Sequence, residues 1–295
     1  MIHTSKQLKD KVRNISKGDS DVAKILIRTF MMERFLERVS LSKYRNNFIL
    51  KGGMLVASII GVDMRATMDI DATVRALPLN EEDVERIVSE ICDISIEDGV
   101  CFRIVSITKI MEEFDYPGIR IMLEATLDRM RQPIKLDVST DDAITPDAVE
   151  YEYKLMFEDR TISLLSYNIE TLLAEKIQTI LARGIANTRM RDFYDVYEIV
   201  KFREKKIDKI ILFDAFGATC NKRETIYTTE EMMDILAKIN TNEAMVQMWK
   251  KFRKKNYFVD DLEWDVVLKE AKRVIEKYLS SPTNILYKKI HITKS

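Results

Sequence analysis

The 295-residue chain is 46% apolar and 32% charged with a formal net charge of −1, the composition of a helix-rich globular protein and not of a disordered one. Its balanced charge argues against a general nucleic-acid coat protein but leaves room for a local basic groove. Cys92, Cys101 and Cys220, with His3 and His291, form no metal-binding spacing, so no zinc site is expected and a reducing cytoplasm is the natural setting. The basic N-terminus has no apolar h-region and no run reaches the roughly 18 apolar residues of a membrane span, so a cytoplasmic chain without a membrane segment is expected.

With only 8 glycines and 5 prolines, long helices are expected. Residues 19–39 carry apolar residues at three- and four-residue spacing after the cap candidates Asp19 and Ser20, which predicts an amphipathic helix. "FILKGG" predicts a short strand running into a glycine turn, with a helix from about Met54 to Ile60. "TMDIDATV" alternates strictly and predicts a strand, and "NEEDVERIVSEICD" predicts a helix. "CFRIVSITKI", "GIRIMLEATL" and "PIKLDVST" predict three further strands. From about Ser166 onward the pattern turns to helices, over 168–183, 188–203, 206–220, 228–239, 241–255 and 261–279. An α/β region of about residues 1–160 followed by an α-helical region of 161–295 is therefore expected.

Successive side chains of a strand point to opposite faces. Met68, Ile70 and Ala72 then share one face, while Asp69, Asp71 and Thr73 share the other. Alternate residues stand roughly 6–7 Å apart at their bases, from where two carboxylates can converge on divalent cations. In "PIKLDVST" the same alternation puts Lys135, Asp137 and Ser139 on one face, so Asp137 can supply a third carboxylate if that strand lies beside the first. Uncompensated acids in such a place are costly, and a metal makes them favourable. Three features accompany them. Gly52 and Gly53 fall at a strand-to-helix turn, where backbone N–H groups can hold phosphate oxygens. Arg65 and Thr67 precede the acidic strand, and Arg65 could grip a triphosphate. In "NIETLLAEKIQTILARG", with Asn168 as cap, Lys176 falls inside an apolar stripe about 180° wide, where it must snorkel or meet a negative group. Each feature also has an ordinary alternative: a solvated strand face, a plain turn, a surface arginine, a snorkelling lysine. In the next helix Phe193, Val196, Tyr197 and Val200 share a face. Asp192 sits at the edge of that face with Asp195 one turn later; the two are a solvated stripe, or Asp192 orients Lys176 or a nucleotide.

Taken together, "KGGMLV…GVDMRATMDIDATV", "LDV" and "LLAEKIQTILARG…NTRMRDFYDVYEI", spanning about residues 48–200, resemble the AbiEii family of nucleotidyltransferase toxins of type IV toxin–antitoxin pairs, related to the MenT toxins. The resemblance implies an α/β (α+β) fold: a polymerase-beta-like nucleotidyltransferase core with a mixed sheet, then an α-helical domain contributing to the nucleotide pocket. It implies Asp69 and Asp71 as the metal-binding pair, while Asp137 as third metal ligand and proton acceptor rests more on the strand pattern. Gly52, Gly53, Arg65 and Thr67 fall in the nucleotide-binding motifs, Lys176 matches the helical lysine that contacts the nucleotide, and Asp192 matches a late essential aspartate. Where members of the family can carry serine, Gly53 offers backbone N–H alone.

The activity so implied is Mg²⁺- or Mn²⁺-dependent transfer of a nucleoside monophosphate from an NTP to RNA, foremost the 3′ end of tRNA. The toxin would be neutralised by a cognate antitoxin encoded nearby. Basic clusters at 201–209 and 250–255, with Trp249, Phe252 and Tyr257, fit an RNA path with stacking aromatics or equally a solvated face over a core. Two rivals stay open: a transferase acting on a small molecule or a protein hydroxyl, and a non-catalytic nucleotide- or RNA-binding regulator.

Overall fold

The computed structural model describes residues 1–61, 65–77, 80–110, 118–259 and 261–280. Val62, Asp63 and Met64 of the sequence motif, and His291, lie outside them. Among the described residues seven strands form one mixed sheet in the order β3-β4-β5-β2-β1-β7-β6. The strands are β1 (Phe48–Lys51), β2 (Asp69–Val74), β3 (Val100–Ile110), β4 (Gly118–Leu127), β5 (Met130–Thr140), β6 (Val149–Lys154) and β7 (Thr161–Ser166). The five expected strands form β1 to β5, and β4 and β5 alternate as expected. In β4 and β5 Ile119, Ile121, Leu123, Ile134, Leu136 and Val138 are buried, and the residues between them are part-exposed. β6 and β7 were not predicted. "VEYEYK" carries charges at alternate positions and reads as polar, although Tyr153 is buried.

The helices of this first compact unit, built from Met1–Asp141 and Ala148–Ser166, are α1 (Ser5–Ser16), α2 (Ser20–Leu41), α3 (Gly52–Ile60) and α4 (Glu81–Cys92). Asp19 caps α2 by accepting from the N–H groups of Asp21 and Val22, as its place before the apolar stripe predicts. α1, closed by a Thr4–Gln7 capping box, was missed because its polar sequence buries little beyond Leu8 and Val12. α2 packs on the sheet against β5 and β7, and its Phe35, Leu36 and Val39 line one small apolar cavity with Phe48, Leu50, Ile70, Ala72, Leu136, Leu164 and Leu165. Each such buried side chain contributes about 1.5–3 kcal/mol. This apolar layer sets which face of β2 and β5 is left for polar residues. Met68, placed by alternation on the apolar face, instead precedes the strand and is 46% exposed.

The second unit comprises Asp142–Asp147 and the chain from Tyr167 onward. It is helical: α5 (Ile169–Arg183), α6 (Met190–Arg203), α7 (Lys209–Lys222), α8 (Thr229–Thr241), α9 (Glu243–Lys255) and α10 (Trp264–Val274). Asn168 caps α5 through a 2.7 Å bond from the Thr171 N–H. The helix expected over 261–279 starts at Trp264 and loosens into a π-turn over Ile275–Leu279. No described helix is long and apolar enough to cross a membrane.

α2 also buries a titratable group, Glu33. The Glu33 carboxylate accepts from the Met156 N–H at 3.1 Å and from the Tyr153 hydroxyl at 3.4 Å. Burial pushes the Glu33 carboxyl from 4.5 up to about 8, against the opposing pull of that N–H and of Arg34. The native state then holds a proton that the unfolded chain has already released, so stability should decline as pH rises from 4.5 to about 8. Glu33→Gln cannot ionise and should flatten that decline in urea unfolding followed across the same range. An unchanged slope would assign the dependence to other groups.

Candidate active site

The acidic residues meet because of strand register. β2 runs parallel to β5, with Asp71 opposite Asp137 and Asp69 opposite Lys135. β1 runs antiparallel on the other side of β2 and sets Lys51 opposite Asp71. β4 sets Arg120 opposite Asp137. Paired residues share a face, so Asp69, Asp71 and Asp137 gather on the side of the sheet away from the apolar layer. One carboxylate oxygen from each lies within 4.8 Å of the others.

Three like charges at this spacing require compensation. The Lys135 ammonium stands 2.5 Å from Asp69 Oδ2 and 3.4 Å from Asp137 Oδ2. Burial opposes its charge, but the hydrogen bond to Asp69 and the charges of Asp69 and Asp137 outweigh that and raise its pKa. Arg120 donates Nε–H and Nη2–H to the two oxygens of Asp137, each at 2.8 Å. Lys51 reaches across β2 to donate to Ser139 Oγ at 2.8 Å. Asp71 receives the Gly53 N–H at 3.2 Å. Burial, and then the charge of Asp69, push its carboxyl up to about 6. A half-buried, oxygen-only cluster of three carboxylates fits a hard divalent cation such as Mg²⁺ or Mn²⁺.

The glycine pair is required by closeness. α3 begins at Gly52, earlier than the predicted Met54, and Lys51 supplies no side-chain cap. Gly52 has φ +61°, and a Cβ there would collide with the Asp71 carboxylate. A Cβ on Gly53 would strike Thr67 Oγ1 and lie 2.7 Å from Arg65 Nη1. Arg65 is buried, and its Nη1 donates to the carbonyls of Gly53 at 3.1 Å and Ala66 at 3.3 Å. Thr67 Oγ1 donates to the Asp69 carbonyl at 3.2 Å. These two residues therefore brace the turn and the start of β2 from within. The N-terminus of α3, with the positive end of its dipole, lies beside Asp71.

In the second unit Lys176 of α5 is buried and neither snorkels nor stands alone. Its ammonium lies 2.9 Å from Asp192 Oδ1 and 2.7 Å from Asp195 Oδ2, both on α6. Asp195 is fully buried and Asp192 partly so. The apolar face of α6 departs from expectation, because Tyr194 and Asp195 are buried while Tyr197 is half-buried. Trp249 is likewise closed off: it is core, its Nε1–H donates to the Leu262 carbonyl at 2.9 Å, and its ring contacts Phe252 and Trp264. Of the three aromatics considered for stacking, Tyr257 is exposed.

The model of one protein family, the nucleotidyl transferase AbiEii toxin of type IV toxin–antitoxin systems, matches residues 34–270. The chain belongs to this family. Comparison with curated proteins finds no match. Among solved structures the chain is similar to a crystal structure described as a candidate nucleotidyltransferase from H. pylori, with TM-score 0.52 and 14% identity, covering 85% of this chain and 93% of that one. It is also similar to JHP933 from Helicobacter pylori, with TM-score 0.53 and 13% identity, covering 85% and 90%. These likenesses are of fold.

This AbiEii-family nucleotidyltransferase brings Asp69, Asp71, Asp137, Gly52, Gly53, Arg65 and Thr67 together in its first unit. Lys176 and Asp192 meet in the second. Sequence reasoning singled out neither Arg120, Lys135 nor Asp195 as a site residue. Alternation already placed Lys135 on the acidic face, and Arg120 lies between the buried Ile119 and Ile121, but their partners depend on strand order. Gly52→Ala should cost about 2 kcal/mol or more, since it combines a left-handed backbone with displacement of the Asp71 side chain; wild-type stability in urea unfolding would show that the turn tolerates a Cβ. Lys176→Met leaves the buried Asp195 without its lysine and should destabilise by about 3 kcal/mol, read as a lower midpoint in the same assay.

Proposed function

We propose that this chain transfers a nucleoside monophosphate from an NTP to a hydroxyl of RNA, foremost the 3′ end of tRNA, in a reaction that depends on Mg²⁺ or Mn²⁺. The observation that carries this reading is the convergence of Asp69, Asp71 and Asp137 beside the N-terminus of α3. Those three carboxylates would hold the metal, which when bound supplies charge stabilisation at the reacting phosphorus. Gly52 and Gly53 seat the triphosphate at the N-terminal end of the α3 dipole, and Arg65 and Thr67 keep that turn in shape. Asp137, oriented by Arg120, accepts the proton of the attacking hydroxyl. A new bond forms from that oxygen to the α-phosphorus, the bond to the β-phosphate bridge breaks, and pyrophosphate leaves. Positioning and electrostatics supply the rate, since the leaving group is already good.

In this reading catalysis is assigned to about residues 1–160, while the helices of 161–295 carry Lys176 and Asp192 for the nucleotide. Exposed Lys250, Lys251, Lys254 and Lys255 on α9 suit contact with an RNA backbone. Family membership implies an antitoxin partner; we place its gene beside this one and the toxin in the cytoplasm.

Expression of the wild-type protein in a bacterial host should arrest growth and extend tRNA 3′ ends, read by end sequencing. Asp71→Asn should abolish both, and Asp137→Asn should lower the turnover of labelled NTP by about 10²–10⁴-fold. Equal arrest by wild type and Asp71→Asn would overturn the catalytic reading. Label recovered in a small molecule or a protein, with tRNA unmarked, would overturn the RNA acceptor.

A further inference from the structure

We propose that Lys135 is the internal counter-ion of the carboxylate triad, and that it is exchanged for the divalent cation when metal binds. The inference rests on the reading that Asp69, Asp71 and Asp137 hold that cation. Its observation is separate: one ammonium group bridges two of the three carboxylates, 2.5 Å from Asp69 and 3.4 Å from Asp137.

The sheet itself builds this bridge. Lys135 lies opposite Asp69 across the β2–β5 ladder and two residues before Asp137 on β5, so its stem rises between the two acids on their shared face. The other cations of the cluster stand differently. Arg120 approaches Asp137 from β4 and takes one lone pair on each oxygen, which leaves further acceptor positions on the same carboxylate. Lys51 lies opposite Asp71, on which its charge acts, and donates to Ser139 Oγ.

A Mg²⁺ ion binds carboxylate oxygens at about 2.0–2.1 Å. An ammonium nitrogen in hydrogen-bond contact with the same Asp69 oxygen would then face a double positive charge at close range, which like-charge repulsion forbids. The lysine head is a compact charge on a flexible four-carbon stem, and Lys135 is only partly buried, so it can leave toward solvent without disturbing the strand. The metal-free triad is thereby kept neutral enough to stay assembled, and the apparent metal affinity is the intrinsic affinity reduced by the work of displacing Lys135.

The test measures Mn²⁺ binding to the purified full-length protein without nucleotide, by loss of the free Mn²⁺ electron paramagnetic resonance signal. Lys135→Met keeps the stem and removes the charge, and should bind Mn²⁺ on the order of fivefold more tightly than wild type. Arg103→Met serves as control. It removes a positive charge from the same sheet, one paired with Glu124, and should leave the affinity unchanged. Thermal unfolding gives a second readout: Lys135→Met should melt lower than wild type without metal and gain more from Mn²⁺. Should Lys135→Met fail to fold, Lys135→Gln is measured in its place. Equal or weaker Mn²⁺ binding by the lysine variant overturns the exchange and leaves the metal site standing. Absence of binding in wild type and variant alike overturns both.

Discussion

Three aspartates on one face of a sheet repel one another, and everything else at this site is arranged around that repulsion. The apolar face of the sheet holds them there. A slip of β2 against β5 by one residue would turn Ile70 and Ala72 toward the acids and the acids toward Phe35 and Val39 of α2. The side-chain layer that stabilises the first unit thus enforces the electrostatic strain on its other face. The compensation also comes from sheet neighbours, Lys135 on β5, Arg120 on β4 and the Gly53 amide at the start of α3.

Closeness then dictates composition around the acids. Asp71 lies so near the first turn of α3 that position 52 cannot carry a Cβ, and Gly53 is pressed against Thr67 and Arg65 from below. Arg65, from which sequence reasoning expected a grip on phosphate, places Nη1 on backbone carbonyls of the turn. A buried arginine spent on holding backbone is a common way to fix a loop whose own residues have no side chains to pack.

The parts of the fold legible in the sequence were those governed by local periodicity. β2, β4 and β5, and helices α2 and α5 with their caps Asp19 and Asn168, follow from alternation or from spacing of apolar residues. The candidate acids were legible for the same reason, because the faces of β2 and β5 could be read without knowing that the strands pair. Strand order was not, and with it went Arg120 and the bridging place of Lys135. β6 escaped because charges at alternate positions mask its buried Tyr153, α1 because its polar sequence buries little beyond Leu8 and Val12, and β7 because six largely buried residues carry no alternation to read. Lys176 was conspicuous in an apolar stripe, yet its deepest partner, Asp195, sits in a helix whose face was misjudged, with Tyr197 in the place of Tyr194.

Strand register positions the acids. In small metal-stabilised domains the ligands come together only as the metal binds, and removing the metal unfolds the chain. Here the triad stands on strands held by a large apolar core, with protein cations occupying part of the space between the carboxylates. In the proposed reaction a cation would meet carboxylates already set by the strands, and the reorganisation would fall on the Lys135 side chain rather than on the backbone. The same preorganisation makes the cluster costly without a positive partner, which is why a lysine and an arginine on adjacent strands belong to the design of the site as much as the aspartates do.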